Sequence, residues 1–305
     1  MIALLLLVPS PAGAQSDEDD GTRPTPPAIA APPLRAPEPV DRDASWQPKR
    51  TIKITTADYF VTGAGVAGAF VGAIFPPRSK HVRGGVLADE DARDFVRLES
   101  RSARYQIRDA SDVGVSLLST WPFLVDALIS AWWYRGDAAL ARKMAFMNAE
   151  AFALVAAVQG ITTNIASRER PYGRLCGTDQ IPNATIDCEG NVRYRSFFSG
   201  HATLSFTSAA LLCSNHLGLG LLGAPWDVLT CATSATVAGA TALFRMMGDM
   251  HYLSDVTVGA VFGTTMGLLI PWLHWGPPPG AAASIDRPDV RVAPVNQGLG
   301  LVGTF

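Results

Sequence analysis

The sequence predicts an all-α protein: a six-helix transmembrane antiparallel bundle with a disordered N-terminal tether and a C-terminal tail. Three observations carry that prediction. Hydrophobic residues fill 48% of the 305 positions and charged residues only 17%, too little charge for a soluble chain of this size. Six apolar runs of about 19–23 residues follow one another, and at ~1.5 Å per residue each crosses a ~30 Å hydrocarbon core. Short polar segments sit at the ends of those runs, as an up-and-down bundle requires. A net charge of −2 leaves no electrostatic footprint for nucleic acid, so that partner class is set aside.

Residues 1–14 have the apolar core and small-residue end of a secretory signal or short leader, with Ala12-Gly13-Ala14 as the cut site. Residues 15–50 hold the acidic run Asp17 to Asp20 and eight prolines, with almost no large apolar side chain before Trp46, and read as a disordered tether. The helical domain is placed at 51–276.

Its first run, about 58–76, contains a literal GxGxxG at Gly63, Gly65 and Gly68. No strand precedes it, so a dinucleotide site is rejected. Ala64, Gly68 and Gly72 are expected instead to form a face for close helix packing. Residues 77–110 mix eight basic and six acidic side chains and suggest an amphipathic interfacial helix, with a solvated charged face as the alternative.

Further runs follow at about 112–134, 141–166, 202–223, 226–244 and 254–274. Arg142, His216 and His274 are expected at interfaces or helix ends. Residues 277–305 are read as a tail. Of the four cysteines, Cys213 and Cys231 lie inside apolar runs and are expected to be buried thiols. Cys176 and Cys188 bracket a polar loop, lack a zinc spacing, and are the disulfide candidate if that loop faces an oxidising compartment.

Three polar clusters hold the chemistry. Ser167-Arg168-Glu169-Arg170-Pro171 closes the third run, Ser196-Phe-Phe-Ser199-Gly200-His201 opens the fourth, and Arg245-x5-His251-x3-Asp255 joins the fifth to the sixth. The up-and-down order brings all three to one mouth. If helical, His251 and Asp255 share a face within hydrogen-bonding reach, so the carboxylate sets the imidazole tautomer. Two histidines, two or three arginines and a Ser-Gly helix start make an anion site suited to phosphate.

These clusters resemble the three-part signature of the type 2 phosphatidic acid phosphatase superfamily, which includes bacterial acid phosphatases and vanadium haloperoxidases. The resemblance covers about residues 100–275. It implies the acid phosphatase/vanadium haloperoxidase bundle and hydrolysis of a lipid phosphate or isoprenyl diphosphate at a membrane. By that resemblance His251 is the nucleophile that becomes a phosphohistidine, Asp255 orients it, and His201 protonates the leaving oxygen. Arg170 and Arg245 hold the phosphate oxygens with Ser199 and the Gly200 amide. No metal and no cofactor are expected, and vanadate would inhibit.

The sequence departs from the signature twice. Phe198 replaces a common proline, and Thr163 stands where a lysine is usual; Arg168 is the expected partial substitute. Two alternatives stay open: a haloperoxidase using vanadate as cofactor in the same pocket, and a non-catalytic binder of lipid phosphates. The resemblance further implies a bacterial-type cell membrane with the mouth on the periplasmic side, although a cleaved leader before six spans would put it in the cytoplasm.

Overall fold

The computed structural model describes residues 46–279 together with the backbone of 289–295 and 298–304. The expected leader, and the expected tether as far as residue 45, lie outside these. Seven α-helices form the described bundle: α1 (Thr56–Ile74), α2 (Asp89–Val96), α3 (Arg101–Trp121), α4 (Ala138–Ala166), α5 (Gly200–Leu219), α6 (Trp226–Met247) and α7 (Leu253–His274). Beyond Trp121, α3 continues as a π-helix over Pro122–Tyr134, closed by the Arg135 amide bonding the Ser130 carbonyl five residues back.

Five helices are long and apolar enough to cross a membrane, rather than the six expected: α1, α3 with its π-helical extension, α4, α6 and α7. The exception is α5. It packs against α3, α4, α6 and α7, so little of it faces outward, and its buried side chains include Thr203, Ser205, Thr207, Ser208, Ser214 and Asn215. Hydroxyls of this kind are tolerated because they bond back along the helix: Thr203 Oγ1 donates to the Ser199 carbonyl and Thr207 Oγ1 to that of Thr203, at 2.7 and 2.8 Å.

The α5–α7 packing matters most for the site. Gly259, Gly263 and Gly267 recur every fourth residue on α7, and a Cβ at Gly263 would collide with the Thr203 carbonyl. Backbones can approach this closely only where side chains are missing. The N-terminus of α7 is thereby pressed against that of α5, and the Ser199 amide donates to the Asp255 carbonyl at 3.1 Å.

A similar small-residue face joins α1 to α4, which run parallel: Gly65 meets Ala153, Gly68 meets Ala157 and Gly72 meets Gly160. Gly65, not Ala64, completes that face. The chain then runs down α3, up α4, down α5, up α6 and down α7. Three connections share one end of the bundle: 75–100, 167–199 and 248–252. At the other end Arg135 Nε donates to the Leu221 carbonyl, and β1 (Thr51–Ile52) pairs antiparallel with β2 (Trp275–Gly276).

The structure differs from expectation in several further places. Residues 77–110 form no single interfacial helix; the short α2 lies over the site end, and the basic segment from Arg101 is the first three turns of α3. The last residues of the expected tether are docked, since Trp46 Nε1 donates to the Gly220 carbonyl and the Lys49 amide to that of Leu219. The expected tail contains a hairpin, β3 (Asp289–Val295) with β4 (Gly298–Thr304).

Cys213 and Cys231 are not free thiols but a disulfide between α5 and α6, and Cys176 bonds Cys188. His216 is not a helix cap; it is buried between Asp126 and Asp227, with Nδ1 2.8 Å from Asp227. His274 is not interfacial either, since it is buried between the Lys53 carbonyl and Glu150. In each case a distant carboxylate or cysteine supplies the partner that the local sequence lacks.

Candidate active site

His251 lies in the turn before α7, not on the helix, so the expected i, i+4 helical pairing with Asp255 does not form. The nearest carboxylate oxygen of Asp255 is 3.8 Å from His251 Nδ1, whereas the Ser196 carbonyl is 2.8 Å away. A carbonyl oxygen only accepts, so Nδ1 carries the proton and Nε2 keeps its lone pair. Asp255 acts one step back. As the third residue of α7 it accepts the Tyr252 amide at 2.9 Å, the Ser196 hydroxyl at 2.6 Å and Arg168 Nη1 at 2.7 Å. It thus fixes both neighbours of the imidazole, the turn behind it and the loop segment that supplies its acceptor.

Arg168 was expected among the phosphate cations, and the structure puts it elsewhere. Its guanidinium is 4% exposed and closes a buried network, with Nη2 on Asp89 and Nη1 on Asp255, both at 2.7 Å. Ser254 and the Gly84 carbonyl take further bonds. Two carboxylates saturate this arginine, so it braces the site and holds no free donor fork. Asp89 itself is held below the usual carboxylate range: hydrogen bonds from Val86, Arg168 and Ser254 outweigh its desolvation.

His201, on the first turn of α5, places Nε2 2.7 Å from Asp112 on α3. Arg245 Nη1 reaches the same Asp112 oxygen and Ser111 Oγ, each at 3.0 Å. Asp112 therefore couples a histidine to an arginine and was missed in the sequence, where it stands at the start of an apolar run. A carboxylate at the entry of an apolar run is the signal that could have found it. Ser199 caps α5 by accepting the Ala202 amide and its own amide is bonded to the Asp255 carbonyl, so only its hydroxyl proton is left to donate.

Between these elements lies a small pocket of about 140 Å³, lined by Gln159, Gly160, Thr163, Arg170, Arg195, Gly200, His201 and His251. Larger cavities are apolar grooves on the helix flanks, such as that of about 270 Å³ between α3 and α6. Of the expected residues, Arg170, Gly200, His201 and His251 line the polar pocket; Ser199, Arg168, Arg245 and Asp255 stand behind its wall. Arg170 reaches Met250 Sδ at 3.5 Å, and its Nε is buried without an acceptor. Arg245 Nε is buried and equally unpartnered. Burial and the neighbouring Arg108 charge pull the Arg170 pKa down.

The model of the PAP2 superfamily matches residues 145–277. Over that stretch, a little under half of the chain, the sequence is similar to the PAP2 superfamily. The PAP2 match begins within α4 and ends just past α7, so it takes in Thr163, Arg170, His201, Arg245 and His251 but not Asp112 or α2. Five of its helices are long and apolar enough to cross a membrane, and the family matched is of phosphatase type. No curated protein and no solved structure matches it.

Proposed function

We propose that this protein is a membrane-embedded hydrolase of lipid phosphate or diphosphate esters, acting through a phosphohistidine on His251. The observation that carries the reading is the His251 ring, its Nδ1–H held by the Ser196 carbonyl and its free Nε2 in a pocket with Arg170. Nε2 attacks phosphorus, the bond from phosphorus to the ester oxygen breaks, and His201 gives that oxygen a proton. Water then attacks the phosphohistidine, neutral His201 takes its proton, and the P–N bond breaks to release phosphate. Because Asp112 occupies His201 Nε2, the proton delivered to the leaving group comes from Nδ1. Arg170 and Arg245 supply the positive charge that metal ions supply in other phosphoryl transferases.

A lipid substrate suits the surroundings. An apolar groove of about 260 Å³ runs between the ends of α1 and α4, lined by Val71, Phe75, Ile161 and Ile165. Gly72 on its wall packs against Gly160 of the polar pocket, and the groove would take the first carbons of an acyl or isoprenyl chain.

The test is phosphate release by purified, detergent-solubilised protein from a panel of lipid mono- and diphosphates. Release should survive EDTA and be inhibited by vanadate. Strict dependence on added metal would overturn the arginine-based mechanism, and no release from any lipid would overturn the hydrolase.

We further propose that the pocket opens on the periplasmic side. The Cys176–Cys188 disulfide sits in the 167–199 connection and suits an oxidising compartment. Ala184→Cys, exposed in that connection, should react with a membrane-impermeant maleimide in intact cells. Labelling only in inverted vesicles would reverse the orientation.

A further inference from the structure

We propose that Arg195 is a phosphoryl-binding cation of this pocket, supplying the charge that Thr163 does not. The inference rests on the hydrolase reading above and assigns a binding residue that neither the signature nor the sequence indicated.

Arginines are common at this end of the bundle, and most are already neutralised. Arg93 pairs with Asp249, Arg108 with Asp187, Arg174 with Glu90 and Arg193 with Glu169. Arg195 has no carboxylate within salt-bridge distance among the described residues. Its one side-chain bond there is from Nη2 to the Phe75 carbonyl at 3.0 Å. That bond pins the guanidinium to the end of α1 and leaves Nε and Nη1 to face a ligand.

The backbone is as firmly placed. Arg195 adjoins Ser196, whose carbonyl holds His251 and whose hydroxyl bonds Asp255. A shift of this cation relative to the nucleophile would have to break that pair of bonds. The neighbouring wall offers no competing charge, because Gln159 Nε2 donates to Thr163 Oγ1 at 2.8 Å and to the Phe198 carbonyl at 2.9 Å. Arg245 is buried behind the pocket wall while Arg195 is partly exposed in the lining, so this end holds a deep cation and an outer one. The outer one is reached first by an oxyanion entering from the open side.

The experiment is calorimetric titration of the solubilised full chain with orthovanadate, alongside hydrolysis of a prenyl monophosphate and the matching diphosphate. Arg195→Gln should weaken orthovanadate about tenfold or more, the loss of one charge-assisted contact, with Arg195→Lys in between. Adding Thr163→Lys to Arg195→Gln should restore much of the affinity, which a merely structural loss of the Phe75 contact would not allow.

Equal losses on both esters put Arg195 on the transferred phosphoryl group, and a loss confined to the diphosphate puts it on the leaving phosphate; either supports the proposal. Unchanged orthovanadate affinity and KM in Arg195→Gln would overturn it while leaving the hydrolase intact. Conversely, vanadate binding that depends on Arg195 in a protein that hydrolyses neither ester would keep this site and remove the hydrolase. A wild-type chain that binds no orthovanadate would remove both.

Discussion

His251→Ala is expected to abolish phosphate release, by at least about a thousandfold, because no other group in the pocket can form the phosphoryl-enzyme bond. Membrane expression and monodispersity should be kept, since His251 makes one hydrogen bond through its ring and leaves no buried charge behind. Near-normal turnover would remove it as nucleophile.

The same residue has a pH signature. Burial and the charges of Arg170 and Arg245 outweigh the nearby Asp255 and lower its pKa to about 3. The unfolded chain has the ordinary value of ~6.5, so it binds the proton first, and this group's contribution to stability is lost as pH falls from ~6.5 towards 3. His251→Gln should therefore flatten the fall of Tm with acidification over that window; an unchanged slope would mean the ring is not held neutral by its surroundings.

Arg168→Met is expected to destabilise the fold by about 3–5 kcal/mol, through the desolvated carboxylates it would strand. Asp89 is 1% exposed and Asp255 0%, and both depend on the one guanidinium. The check is thermal unfolding in detergent, with Asp89→Asn added. The double variant should lose less than the sum of the singles, because one of the stranded charges is gone. If Arg168→Met melted normally and only raised KM, Arg168 would be a phosphate ligand after all, and the brace role would fall.

These outcomes mark where sequence reasoning reaches and where it stops. Length and hydropathy placed α1, α4, α6 and α7 within a few residues, because a bilayer demands long apolar runs whatever their neighbours. The short polar clusters located the site end of the bundle for the same reason: polar residues at helix junctions have few other places to go. Ring orientation was not legible. The acceptor for His251 is a backbone carbonyl 55 residues away, and a carbonyl has no sequence signal. Asp112 and Arg245 are 133 residues apart, and their pairing follows from α3 lying against α6. Arg195 was hidden among arginines many of which differ from it in having carboxylate partners in space. Arg168 looked like a ligand for the converse reason, since Asp89 and Asp255 are invisible from its own segment.

The core position of α5 bears on how the protein is made. A segment whose hydroxyls and amides face other helices has too little apolar surface to leave the translocation channel for lipid unaided. It must be handed over together with α4 or α6, so the helix that carries His201 joins the bilayer only when the partners that shield it have been synthesised. Assembly of the pocket is in this way tied to the order of translation.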